Sequence, residues 1–93
     1  VPILPEVWQL VRHGVVPGGT GRNIAYLEGA VVWPPEVSEE MRTVLCDAQT
    51  SGGLLISLPA EASPRLLKAL RRRQVEGWVV GQVTEGRILR VNP

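Results

Sequence analysis

The sequence predicts an α+β fold in which helices pack on one mixed or antiparallel sheet. Apolar residues recur at helical spacing through the first half of the chain, and apolar runs typical of buried strands follow in the second half. Gly and Pro separate these segments. A length of 93 residues with 44% apolar residues suits one small domain with a limited core.

The chain is expected to open with a short strand and a helix. Val1 to Leu4 predicts the strand, and Pro5 is typical of a first helical residue. Val7 and Leu10 follow at helical spacing. Gly14 is the expected C′ residue, where a left-handed conformation ends a helix.

A second helix is expected to begin at Thr20, whose hydroxyl suits an N-cap. Ile24 and Leu27 would form its apolar face, and Gly29 would end it. The run Ala30 to Trp33 that follows is short and apolar, and two prolines stop it. It predicts a short extended segment.

A third helix and a buried strand follow. Val37, Met41, Val44 and Leu45 fall at i, i+4, i+7 and i+8, which places them on one helical face. Leu54 to Leu58 is a continuous apolar run and predicts a buried strand.

The last third predicts a helix and a hairpin. Ser63 and Pro64 suit the N-cap and first positions of the helix. Trp78 to Val83 and Arg87 to Val91 are typical of strands, and residues 84–86 form a turn signal between them. We therefore expect these two strands to pair antiparallel.

Composition excludes several classes of protein. The net charge of +1 gives no basic field for nucleic acid, and no apolar run approaches a membrane span. Cys46 is the single cysteine, so an internal disulfide is excluded, which fits the cytoplasm. Val1 is not an initiating Met, and the only Met is Met41, so we expect a piece of a longer protein.

A polar, glycine-bearing loop precedes the strand expected at Leu54. Its donors and acceptors suit a loop whose backbone amides face a ligand at the edge of a sheet. A hydrogen-bonded turn without a ligand is the alternative. The candidate residues for a phosphate or substrate cleft in this loop are Gln49, Thr50, Ser51, Gly52 and Gly53.

Another glycine-bearing segment precedes the second helix. Residues 18–23 are called the first glycine segment, and the loop at residues 47–53 is called the signature loop. Gly18 and Gly19 allow close approach to the backbone, and amides of a helix's first turn favour anions. Thr20 and Asn23 add neutral donors, and Arg22 adds a cation suited to phosphate. The segment lacks the Lys and spacing of a P-loop, so a simple capped turn is the alternative.

Other polar residues favour structural roles. Cys46 ends an apolar helix, which favours burial over nucleophilic chemistry. His13 lies where it would satisfy the carbonyls of a helix end, and Arg71–Arg73 suits a solvated helix end. Asp47 alone is a poor magnesium ligand and is expected to brace its loop. No catalytic residue or metal ligand is assigned.

The two segments together resemble the selenophosphate synthetases, also called selenide, water dikinases. The run from Leu45 to Ile56 is close to that family's Leu-Cys-Asp-Pro-Gln-Thr-Ser-Gly-Gly-Leu-Leu-Ile signature, with Ala48 in place of Pro. Val16 to Asn23 is similar to its Gly-Gly-Thr-x-x-Asn element. Val80 to Val83 is similar to its last strands.

This resemblance implies that residues 1–93 are the C-terminal portion of a C-terminal domain like that of aminoimidazole ribonucleotide synthetase, without the N-terminal nucleotide-binding domain. It implies a cytoplasmic homodimer that uses ATP, Mg²⁺, water and selenide to make selenophosphate, AMP and phosphate for selenocysteine and selenouridine synthesis. The chain alone would bind no cofactor and be inactive. The alternatives are a related ATP-dependent enzyme and a non-catalytic structural module.

Overall fold

The computed structural model describes residues 1–49 and 51–92. By contacts the described residues divide into one unit of residues 1–2 and 51–83 and another of residues 3–49 and 84–92. The elements in chain order are α1 (Pro5–Arg12), α2 (Gly18–Tyr26), β1 (Val31–Val32), α3 (Glu39–Leu45), a 3-10 helix (Ala60–Ala62), α4 (Ser63–Arg72) and β2 (Leu89–Arg90).

Helix α1 begins and ends where the sequence predicts. Pro5 is its first residue, and Gly14 follows the C-cap in the left-handed region with φ +73°. The C-cap is His13, whose backbone N–H and Nδ1 both donate to the Gln9 carbonyl, at 3.1 and 2.7 Å. The predicted capping role of His13 is confirmed.

Helix α3 carries the small core of the unit that contains it. Ser38 is the N-cap and accepts a hydrogen bond from the Met41 N–H at 3.1 Å. Val37, Val44 and Cys46 are the buried apolar residues of the described chain, each no more than 6% exposed. Helices α1 and α2 both pack against α3. The burial of Cys46 is confirmed, and Val44 is the buried residue of the predicted face; Val37 is buried but precedes the helix, and Met41 and Leu45 are only partly buried.

Helix α2 begins three residues earlier than predicted. Its N-cap is Pro17, so Thr20 is the third helical residue and not the cap. The helix ends at Tyr26, and Gly29, with φ +78°, lies in the turn beyond it. The prediction of Thr20 as N-cap was wrong because Thr20 is buried and its hydroxyl donates to Asp47 instead of capping the helix, as described below.

The sheet is one parallel pair, in which Val31 lies opposite Leu89 and Val32 opposite Arg90. The Leu89 N–H donates to the Ala30 carbonyl at 3.0 Å. The α+β class is confirmed. The predicted antiparallel hairpin is wrong, because the last strand pairs with β1 instead of with its neighbour in sequence.

In the other unit, the 3-10 helix leads into α4. Ala62 is the N-cap and Ser63 the first helical residue, so the predicted cap is shifted by one position. Gly77 lies close against α4. A Cβ on Gly77 would be 2.8 Å from Leu70 Cδ1 and 3.2 Å from Leu67 Cδ2.

The predicted strands at residues 1–4, 54–58 and 78–83 are not strands in the described chain. Leu54 and Leu55 are 91% and 87% exposed, and Val83 is 83% exposed. An apolar run forms a strand only where another strand takes up its N–H and C=O groups. For these runs the described chain provides no such partner.

Candidate functional site

Two side-chain hydrogen bonds join the two segments that the sequence singles out. Thr20 Oγ1 donates to Asp47 Oδ1 at 2.6 Å, and Asn23 Nδ2 donates to the Cys46 carbonyl at 2.9 Å. Thr20 is fully buried. We call this contact between residues 18–23 and 46–48 the α2 junction.

The absence of a side chain at Gly19 allows the two segments of the junction to approach each other closely. A Cβ on Gly19 would lie 3.1 Å from the Cβ of Ala48, tighter than an ordinary van der Waals contact. A Cβ on Gly21, two residues further along the same helix, would meet no atom within 4 Å. Gly19 is therefore the glycine whose missing side chain allows the loop at Ala48 to approach α2.

The start of α2 presents backbone donors. Its N-cap Pro17 supplies no side-chain cap, and the first amides of a helix have no acceptor within the helix. The Thr20 amide donates to the Pro17 carbonyl at 3.0 Å, and within residues 1–49 and 51–92 the amides of Gly18 and Gly19 have no backbone acceptor. Arg22 lies beside them, since Cβ atoms on Gly18 and Gly19 would be 3.8 and 3.9 Å from its guanidinium nitrogens.

This arrangement is chemically suited to an anion. The exposed guanidinium of Arg22 lies beside the two glycines at the positive end of the helix, and neither glycine carries a side chain that would block approach. Asp47 is the nearby carboxylate, and one of its oxygens already accepts from Thr20.

Cys46 is a structural residue of the junction. It is 5% exposed, and burial raises the pKa of its thiol above the ordinary 9.0. Its carbonyl accepts from Asn23. A thiol that holds its proton this firmly is a poor nucleophile at neutral pH.

A cavity of about 190 Å³ opens beside the junction. It is lined by Asn23, Tyr26, Leu27, Leu45, Cys46 and Asp47. Tyr26 and Leu27 carry no motif that marks them in the sequence. The helical spacing of Asn23, Tyr26 and Leu27 would have indicated that they share a face.

The predicted site residues separate into groups. Gly18, Gly19, Thr20 and Asn23 are brought to the loop that begins at Asp47. Gln49 lies in that loop and is exposed, and its backbone N–H donates to the Asp47 carbonyl at 3.0 Å.

The remaining predicted residues come after the junction. Ser51, Gly52 and Gly53 are exposed and belong to the other unit. Thr50 lies outside the described residues. The structure thus connects the first glycine segment with the start of the signature loop.

Across residues 1–49 and 51–92, no group of three or more His, Cys, Asp or Glu side chains could hold a metal ion. In the same part of the chain, no helix has the length and apolar character needed to cross a bilayer.

Comparison with known proteins gives one family. Residues 15–92 match the family described as AIR synthase related protein, C-terminal domain. The chain is 42% identical over 87 residues to a selenide, water dikinase of Myxococcus xanthus, an alignment that covers 94% of this chain and 25% of that protein.

Two further relatives carry the same name. The selenide, water dikinase of Aliarcobacter butzleri is 41% identical over 70 residues, which cover 75% of this chain and 20% of the relative. That of Photorhabdus laumondii is 41% identical over 95 aligned positions, which cover 96% of this chain and 26% of the relative. The chain thus spans about a quarter of the length of such relatives. No solved structure matches it significantly.

Proposed function

Because the chain belongs to the family of AIR synthase related protein C-terminal domains, we propose that it is the C-terminal part of a selenide, water dikinase. The whole protein would make selenophosphate from ATP, selenide and water, and would release AMP and phosphate. The similarity to three proteins of that name at about 40% identity supports this proposal.

The observation that carries a role for this segment is the α2 junction. Phosphoryl transfer depends on positioning and on stabilising phosphate charge. In the proposal, the amides of Gly18 and Gly19 and the guanidinium of Arg22 face a phosphate group of the nucleotide. Thr20 and Asn23 hold the wall behind them through their bonds to Asp47 and Cys46.

Residues 49–53 keep their predicted role in binding the phosphate or substrate in the proposal. Gln49, Thr50 and Ser51 would supply polar groups, and Gly52 and Gly53 would allow close approach of the backbone. None of these residues is assigned as base or nucleophile.

The donor set at the junction fits phosphate better than a metal ion. Mg²⁺ prefers several oxygen ligands in an octahedral arrangement, and Asp47 is a single carboxylate already bonded to Thr20. We therefore propose that Mg²⁺ and most of the ATP are held by a nucleotide-binding domain outside this chain. That domain and a second subunit of a cytoplasmic homodimer are the proposed partners.

The first test measures AMP formation with the intact protein and with this chain, each mixed with ATP and selenide. We expect selenide-dependent AMP from the intact protein and none from the chain. AMP without selenide dependence would favour a related ATP-dependent enzyme, and AMP made by the chain alone would contradict the proposed division of roles.

The second test substitutes Arg22→Gln in the intact protein. We expect kcat/KM for ATP to fall by about 10- to 150-fold, because a charge-assisted contact to phosphate is worth roughly 1.5–3 kcal/mol. Arg71→Gln on α4 removes the same charge and should change kcat/KM less than twofold. Equal values for both variants would indicate that the junction is a structural element only.

A further inference from the structure

A groove of about 410 Å³ is formed by residues of α2, β1 and α3 and of the turns beside them. Ile24, Leu27, Val31 and Trp33 contribute apolar and aromatic surface to it. Small-molecule sites commonly have volumes of about 300–1,000 Å³, mostly apolar walls and a few polar groups. The volume and the walls of this groove suit a flat apolar molecule.

Arg42 is a cation in this groove, and it forms no ion pair in the part of the chain that the structure describes. Its Cζ lies 5.8 Å from the centre of the Trp33 ring, within the range of a cation–π contact. Its Nε is withdrawn from solvent and has no hydrogen-bond acceptor within residues 1–49 and 51–92. A partly buried guanidinium without an acceptor for one of its N–H groups carries a charge that its surroundings do not compensate, which favours an anion at the groove.

The charge balance of the lining narrows the choice of partner. Glu28 also lines the groove, yet in the described chain it forms no ion pair with Arg42. A groove that offers one cation and one carboxylate favours a ligand with a single negative charge over a phosphate ester with two. A carboxylate is also the group that a planar guanidinium binds with two parallel hydrogen bonds.

We propose that this groove binds a small organic monocarboxylate with a flat apolar body. The carboxylate accepts hydrogen bonds from the Arg42 guanidinium, and the apolar body lies against Leu27, Val31 and Trp33. The site uses none of the residues assigned to the phosphate wall, so it stands independently of the proposed function.

The test is a titration of this chain with 2-naphthoate, followed by NMR at the Trp33 indole N–H and the Arg42 Nε–H. The neutral analogue 2-naphthalenemethanol and inorganic phosphate are titrated in parallel. Arg42→Gln removes the proposed partner of the carboxylate, and Arg71→Gln on α4 is the matched control. Comparing the two naphthalene probes on the unaltered chain keeps the test valid even if Arg42→Gln fails to fold.

We expect 2-naphthoate to shift both signals in a saturable manner and to bind at least tenfold more tightly than the alcohol or phosphate. Arg42→Gln should weaken binding at least tenfold, and Arg71→Gln by less than twofold. Naphthoate and alcohol affinities within twofold of each other would overturn the proposal. So would tighter binding of phosphate, an unchanged affinity in Arg42→Gln, or the absence of shifts at Trp33 and Arg42.

Discussion

The α2 junction and the apolar runs at residues 54–58 and 78–83 show opposite ways in which a short chain places its residues. At the junction, Thr20 is fully buried and its hydroxyl is bonded to Asp47. In the apolar runs, Leu54 and Leu55 remain 91% and 87% exposed. Contacts within the chain are thus sufficient to order the first glycine segment against the signature loop, but they do not bury the runs.

The cause of this difference is the kind of partner each region needs. A hydroxyl and a carboxamide are each satisfied by one acceptor, which the start of the signature loop supplies. An apolar run gains stability only in proportion to the surface that something else covers. In the proposed intact enzyme, the surface that covers these runs would come from outside this chain.

The largest expected difference between the regions is in the stability cost of losing an apolar side chain. Val44 is 6% exposed, so Val44→Ala should lower the free energy of unfolding by about 2 kcal/mol. Leu55 is 87% exposed, so Leu55→Ala should change it by less than about 0.5 kcal/mol. Urea denaturation followed by circular dichroism measures both. Equal costs would mean that the runs are buried in solution and that the comparison is wrong.

A smaller effect is expected from the glycines of α2. Gly21→Ala should raise the free energy of unfolding by about 0.5–1 kcal/mol, because Ala favours a helix and its Cβ meets no neighbour. Gly19→Ala should lose that gain, because its Cβ would lie 3.1 Å from Ala48. Urea denaturation of Gly19→Ala and Gly21→Ala compares their free energies of unfolding and tests whether Ala48 lies close to α2. The same gain in both variants would show that Ala48 does not approach α2.

The sequence predicted those elements whose signals are local. Pro5 and Gly14 mark the ends of α1, and the spacing of Val37 and Val44 indicates the buried face at α3. The pairing of β1 with β2 joins segments far apart in the chain, so strand-like runs near the C-terminus did not reveal it.

The candidate site was also predicted only in part, because its local features can be recognised in the sequence and its tertiary contacts cannot. The two glycine segments were identified as polar and flexible, but the bond from Thr20 to Asp47 is a tertiary contact across 27 positions. Thr20 therefore resembled a helix cap in the sequence. Arg42 carried no motif, and its lack of an acceptor becomes visible only in three dimensions.

The smallest expected effect concerns Cys46 and pH. Burial raises the pKa of its thiol above 9.0, so the folded chain keeps this proton at pH values where the unfolded chain releases it. The contribution to stability is complete below pH 9.0 and decreases as pH rises through the folded pKa. Unfolding of the parent chain and of Cys46→Ala at pH 8 and pH 10 measures it. The difference between the two chains should be smaller at pH 10, and a constant difference would contradict burial of the thiol.

The most direct test of the α2 junction is a double-mutant cycle between Thr20→Val and Asp47→Ala, measured by urea denaturation. A hydrogen bond from the buried Thr20 hydroxyl to a partly buried carboxylate predicts that each single variant loses about 1.5–3 kcal/mol and that the pair is coupled by at least about 1 kcal/mol. Losses that add to within about 0.3 kcal/mol would show that the two side chains act independently, and that result would contradict the account.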